Sequence, residues 1–180
     1  MDIDRIHCLA YGSNLHPFRL MQRVPSAKPI GVVPMPGKRL AFHKRSQDGS
    51  GKCLFFEPGG AHDIIYGVVY EFDAAEKSKL DALEGLGKGY NEQLVAAPLN
   101  GETYQAYAYV AASTHIDASL VPYDWYKDMV LLGARYHRLP SEYIAKIEAV
   151  ASVPDPDPKR AATNEAILVN MRHINSVKGC

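Results

Sequence analysis

The residue of this chain best placed to move a proton is Glu84. It lies four positions after Leu80 and eight after Glu76, so a helix through this region would place it in the last turn, beside the apolar stripe. A carboxylate there meets the negative end of the helix dipole. Partial burial and the dipole both disfavour the charged form and raise its affinity for a proton. That behaviour suits a general base that must later return the proton as an acid. Spacing alone favours a plainer alternative, a solvated carboxylate at a helix end. Asp81, four residues after Lys77, reads as half of a surface ion pair.

The second candidate is a turn. The apolar run Ile6 to Tyr11 stops in Gly12-Ser13-Asn14-Leu15, as a buried strand does when it breaks into a tight turn. Gly12 lets the backbone turn sharply or approach a ligand. Ser13 and Asn14 are good N-cap residues, and Pro17 suits the first turn of a following helix. Such a joint leaves backbone N–H groups unpartnered at a helix start, where anions and polarised carbonyls bind. Most strand–turn–helix joints nonetheless bind nothing.

Other chemistries fit poorly. Gly85-Leu86-Gly87-Lys88-Gly89 lacks the Walker spacing and a Ser or Thr after Lys88, and it follows a helix where phosphate loops precede one. Its glycines are expected to let the chain leave the helix and bring Tyr90 beside Glu84. Ser13 has no Gly-x-Ser-x-Gly context, which argues against a serine-hydrolase triad. No His-x-x-x-His or cysteine cluster points to a metal, and His43, at a strand end, could reach a pocket, although a surface histidine is the commoner case. Tyrosines outnumber phenylalanines 11 to 5, enough for several phenols to gather around one carboxylate and receive a small polar substrate. For any single tyrosine, packing with a bonded hydroxyl is the commoner role.

The elements that must position these groups are short. Strands are expected at Ile6 to Tyr11, Gly31 to Val33, Arg39 to His43, Cys53 to Phe56 (closed by Pro58-Gly59-Gly60) and Ile64 to Phe72, a pattern of a curled sheet or small barrel. A short helix runs from Leu15 to Arg23 until Pro25 stops it. Asp73 with Glu76 forms a variant capping box for the helix that carries Glu84, and the glycines from Gly85 end it. Tyr90 to Ala97 and Thr103 to Val110 make a hairpin across Asn100-Gly101, with Tyr107 and Tyr109 on one face of its second strand. Pro122 to Arg138 is the longest helical pattern, with Trp125, Met129, Leu132 and Tyr136 on its stripe. Ser141 caps a further helix to about Val150. The alternating prolines of Pro154 to Pro158 make an extended linker, and the tail from Ala161 forms a helix against the body or stays mobile. One domain over residues 1–150 is expected, with 151–180 as linker and tail.

At 180 residues, with 47% hydrophobic and 22% charged residues, the composition is that of one globular core. A formal net charge of zero gives no electrostatic case for nucleic acid or an anionic membrane. No apolar run is long enough to span a bilayer, and the polar N-terminus lacks a signal-peptide core. Three widely spaced cysteines, Cys8, Cys53 and Cys180, fit a reduced, cytoplasmic protein.

Three stretches together resemble the γ-glutamylcyclotransferase family: Tyr11-Gly12-Ser13-Asn14-Leu15, Leu83-Glu84-Gly85 with Gly89-Tyr90, and Tyr126-Lys127 ahead of Leu132-Gly133-Ala134 and Leu139-Pro140. The resemblance runs from about Ile6 to Ile147. It implies an α+β fold, a small mixed β-barrel flanked by helices. It also implies release of 5-oxoproline from a γ-glutamyl amine, amino acid or peptide, as a monomer or homodimer and with no cofactor. Under it, Glu84 is the catalytic acid–base group. Tyr11, Gly12, Ser13, Asn14 and Leu15 form the glutamyl-binding turn, and Tyr90, Tyr126 and Tyr109 (or Tyr107) complete the pocket. The glutathione-specific branch carries Tyr-Gly-Ser-Leu at this turn, and Asn14 points away from it. Two alternatives remain: an enzyme removing a γ-glutamyl group from a specialised metabolite, and a binding module without turnover.

Overall fold

The computed structural model describes residues 4–56 and 59–178. Pro58, read as part of the turn after the fourth strand, and Cys180 lie outside them. In chain order the elements are β1 (Arg5–Ala10), α1 (Pro17–Arg23), β2 (Lys28–Pro36), β3 (Arg39–Arg45), β4 (Gly51–Phe56), β5 (Ile64–Asp73), α2 (Lys77–Glu84), β6 (Tyr90–Leu99), β7 (Glu102–Ala111), α3 (Asp124–Tyr136), α4 (Ser141–Glu148) and α5 (Pro158–Lys178).

β1 is the middle strand of a five-stranded sheet of order β2-β5-β1-β7-β6, and β3-β4 form a separate ribbon. β1 pairs antiparallel with β5 from Arg5↔Asp73 to Ala10↔Val68, and parallel with β7 at His7↔Ala106 and Cys8↔Tyr107. The sheet is therefore mixed, and it curls. Gly31 on β2 and Leu99 on β6 belong to opposite edge strands, yet a Cβ at Gly31 would lie 2.8 Å from Leu99 Cδ2. This is the expected α+β fold with helices around it, the small mixed barrel taking the form of a curled half-barrel sheet.

The local signals set most element ends. Asn100 and Gly101 both adopt positive φ, 54° and 85°, as a two-residue hairpin turn requires, and β6 and β7 pair from Leu99↔Glu102 outward. Gly85 caps α2 in the left-handed region at φ 73°. β2 is longer than expected and runs through Pro29, Pro34 and Pro36. It is an edge strand, where a missing N–H breaks no ladder.

Three caps differ from expectation, the simplest being α4, where Pro140 holds the N-cap position and Ser141 is the first helical residue. A 3-10 turn over Ser13–Leu15 intervenes before α1, so the N-cap of α1 is His16, whose Nδ1 accepts from Phe18 N–H at 3.2 Å. Pro17 does occupy the first helical turn. Ahead of α2, Asp73 caps a 3-10 turn over Ala74–Glu76 through Ala75 N–H at 3.0 Å, and Glu76, which holds the N-cap position of α2, does not reach back to Asp73 directly. Its Oε2 accepts from the Ser26 hydroxyl, and Ser26 Oγ accepts from Asp73 N–H at 2.9 Å. The capping box is closed through Ser26.

α3 is buried on more than its expected stripe. Tyr126, Val130, Leu131 and Ala134 join the main core, while Met129 and Leu132 pack with Leu168 and Met171 of α5. A helix covered on both sides loses simple amphipathic spacing. The tail helix α5 is thus seated on α3, and Asn175 fixes it by accepting from His16 Nε2 at 3.0 Å and donating to Leu132 O at 3.0 Å.

Candidate active site

The C-terminal end of β1, the turn after it and the last residue of α2 meet in one cleft. It holds about 340 Å³ of space and is lined by Tyr11, Gly12, Ser13, Asn14, Cys53, Glu84, Tyr90, Tyr109 and Tyr126, with Leu9 and Ala10 at its base. A side chain on Gly12 would intrude, since a Cβ there would stand 3.1 Å from Cys53 Cβ and 3.3 Å from Tyr126 Oη.

Each phenol is held by a bond to the scaffold. The Tyr11 hydroxyl donates to Tyr109 O, and the Tyr109 hydroxyl donates to Asp81 Oδ1 at 2.6 Å. The Tyr90 hydroxyl donates to Cys53 O at 2.8 Å, while Tyr126 Oη accepts from Cys53 N–H at 3.1 Å. Tyr90 and Tyr126 therefore clamp the two sides of one residue of β4. The glycine-rich turn makes this possible, because Gly87 N–H bonds Tyr90 O at 2.8 Å and folds the chain back beside α2.

Glu84 is the sole acidic residue among the described residues that line the cleft. Its side chain is 16% exposed, and its Oε1 accepts from Asn14 Nδ2 at 2.8 Å and from Arg23 Nη1. Asn14 Oδ1 is buried with no hydrogen-bond partner among the described residues. Burial pushes the phenols of Tyr11, Tyr90, Tyr109 and Tyr126 upward and the Cys53 thiol up to about 12. All five stay protonated near neutral pH. Among the described lining residues Glu84 is then the one side chain able to accept a proton.

Of the residues singled out in the sequence, Tyr11, Gly12, Ser13, Asn14, Glu84, Tyr90, Tyr109 and Tyr126 are gathered in the cleft. Leu15 is not: it is fully buried in the core, and its carbonyl accepts from Tyr70 Oη at 2.7 Å and His137 Nε2 at 2.8 Å. Between the two strand tyrosines, Tyr109 faces the cleft, and the Tyr107 ring lies 4.7 Å from Lys77 Nζ. Asp81 pairs with Lys77 at 2.8 Å as expected, and it also anchors Tyr109. Arg23 and Cys53 escaped notice. Neither carries a motif, and the contact of Arg23 with Glu84 spans 61 residues. Among the described residues no helix is long and apolar enough to cross a membrane.

Residues 8–128 match the family model described as gamma-glutamyl cyclotransferase, AIG2-like. Human gamma-glutamylcyclotransferase is 30% identical over 149 residues, covering 78% of this chain and 76% of that protein. The bovine protein of the same name is 29% identical over 147 residues, with the same coverage. A solved structure named gamma-glutamyl cyclotransferase superposes with a TM-score of 0.79 at 26% identity, over 93% of this chain and 99% of that one. The crystal structure of an uncharacterized human protein gives 0.79 at 27% identity, over 92% and 98% of the two chains.

Proposed function

The chain belongs to the gamma-glutamyl cyclotransferase, AIG2-like family of enzymes, and from that premise we propose that it cyclises the γ-glutamyl group of a small substrate to 5-oxoproline and releases the amine, with Glu84 as the acid–base group. The carrying observation is the solitary Glu84 carboxylate in a cleft whose phenols and thiol hold their protons.

The reaction needs the substrate's α-nitrogen to attack its own γ-carbonyl. A C–N bond closes the five-membered lactam, and the C–N bond to the leaving amine breaks. Two protons must travel from the attacking nitrogen to the departing one. Glu84 receives each and passes it on, acting as base and then as acid. Gly12, Ser13 and Asn14 line the cleft, and in this reading their backbone N–H groups orient the glutamyl group or meet the developing oxyanion. Asn14 Oδ1, buried and unpartnered, is an acceptor for the substrate ammonium. Holding a flexible glutamyl chain in its ring-closing conformer supplies further rate. Cys8 and Cys53, both free and buried, fit a reducing cytoplasmic setting.

The Arg23 guanidinium on Glu84 favours a second reading, since it occupies a carboxylate oxygen that would otherwise be open to take a proton. In that reading the cleft binds γ-glutamyl compounds without turning them over. A panel of γ-glutamyl amino acids, γ-glutamyl amines and glutathione separates the two, with free 5-oxoproline measured by mass spectrometry. Release by wild type and its loss in Glu84→Gln support cyclisation; equal release by both would remove Glu84 from the chemistry. Binding across the panel with no release supports the second reading.

A further inference from the structure

Outside Glu84 the cleft opens into a wider vestibule of about 590 Å³, whose wall carries Arg19, Arg23, Lys44 and Lys52 beside Trp125. Glu84, Tyr90 and Tyr126 border both spaces, so a group extending from the inner cleft past Glu84 enters the outer one.

The cations of this wall are not balanced. Arg23 pairs with Glu84, and Lys52 pairs with Asp48 at 2.8 Å. Arg19 and Lys44 have no carboxylate at ion-pair distance among the described residues; Glu84 attracts both, and Asp48 attracts Lys44, only from farther away. Arg19 Nε is buried without a hydrogen-bond partner. Burial brings its guanidinium down to about 10, so it is still charged near neutral pH. Lys44 is only 6% exposed, and its ammonium rests 4.2 Å from the centre of the Tyr90 ring. A desolvated cation with no counter-ion in contact is unfavourable and is relieved by an incoming anion. Two such cations face one space.

The inner cleft has none. Among its described lining residues no side chain is cationic, so the glutamyl α-carboxylate is left to the backbone N–H groups of the turn. Arg19 and Lys44 are left for the other end of the substrate. We propose that this vestibule grips the leaving group through its carboxylates, Arg19 and Lys44 being the specificity residues, and that the preferred leaving group is a dicarboxylic amino acid. The inference rests on the γ-glutamyl reading above and deepens it.

A ladder of three ligands tests it: γ-glutamyl-ethylamide, γ-glutamyl-alanine and γ-glutamyl-aspartate. They share the glutamyl group and differ by one leaving-group carboxylate at each step. Binding is measured by titration calorimetry on Glu84→Gln protein, where turnover is suppressed. Affinity should rise about tenfold per carboxylate, as charge-assisted hydrogen bonds do, and the steps should flatten in high salt. Adding Arg19→Gln or Lys44→Met should weaken the alanine and aspartate compounds more than the ethylamide. Equal affinity along the ladder, no binding by any of the three, or substitutions that weaken all three alike would overturn the proposal. The ladder is read before either cation is changed, so a poorly folded variant does not blur it. Release of 5-oxoproline by the unsubstituted protein is scored separately. Release without a ladder overturns the vestibule and leaves cyclisation, while a ladder without release does the reverse.

Discussion

Asn14 Nδ2 donates to Glu84 Oε1 at 2.8 Å, across 70 residues of sequence. The bond joins the turn after β1 to the end of α2, and it shares its acceptor oxygen with Arg23. It orients the carboxylate toward the turn and leaves Asn14 Oδ1 as a buried acceptor. Asn14→Ala should lower kcat/KM for 5-oxoproline release about 10- to 100-fold, the scale of one lost hydrogen bond to a charged group. Asn14→Asp should cost more, because two carboxylates would then face each other. Steady-state kinetics on the best panel substrate check both; wild-type rates in the two variants would separate this bond from the chemistry.

Gly133 is the point at which α3 approaches the turn. A Cβ there would lie 2.5 Å from Leu15 Cβ and 2.9 Å from His16 N, and backbone cannot yield as a flexible side-chain tip does. Gly133→Ala should destabilise by about 1–3 kcal/mol, as overpacking does. It should also lower activity, since Leu15 closes the turn that lines the cleft. Urea unfolding and a parallel assay measure the two effects.

His137 makes the fold sensitive to mild acid. Burial holds its imidazole at about 4, below the ordinary 6.5, and its Nε2–H donates to Leu15 O. The unfolded chain takes up the proton near 6.5, whereas the folded chain resists until about 4. Between these values the unfolded state binds more protons, so stability rises with pH. The contribution is complete above the upper value and is lost as pH falls toward the lower one. His16, also lowered chiefly by burial, acts in the same direction. The loss between neutral pH and the lower limit should be on the order of 1–3 kcal/mol for His137. Urea midpoints across this range should slope less in His137→Gln; an unchanged slope would assign the sensitivity elsewhere.

Met171 tests the seating of the tail helix. It is fully buried with Leu168 against Met129 and Leu132 of α3. Met171→Ala should destabilise by about 2–5 kcal/mol if α5 unfolds together with the body. Hydrogen exchange should then show protection of α5 falling in step with that of α3. A change of less than about 0.5 kcal/mol would mean that α5 unfolds by itself.

What the sequence determined by itself was local. Asn100-Gly101 sets the hairpin, Gly85 ends α2 and Pro17 starts α1, because each signal acts within a few residues of the element it shapes. The gathering of Tyr11 to Asn14, Glu84, Tyr90 and Tyr126 was legible through motif resemblance, each group lying at or near the end of an element where side chains can meet. Tertiary structure alone decided the rest. It placed Arg23 on Glu84, closed the capping box of α2 through Ser26, made His16 the cap of α1 and turned Leu15 into the core instead of the cleft. It also unbalanced the vestibule, bringing Arg19 of α1 and Lys44 of β3 to one space. Helical and strand spacing record which residues share a face over a turn or two. Pairings across 50 to 70 residues depend on how the sheet curls and where each helix docks, which no local spacing encodes.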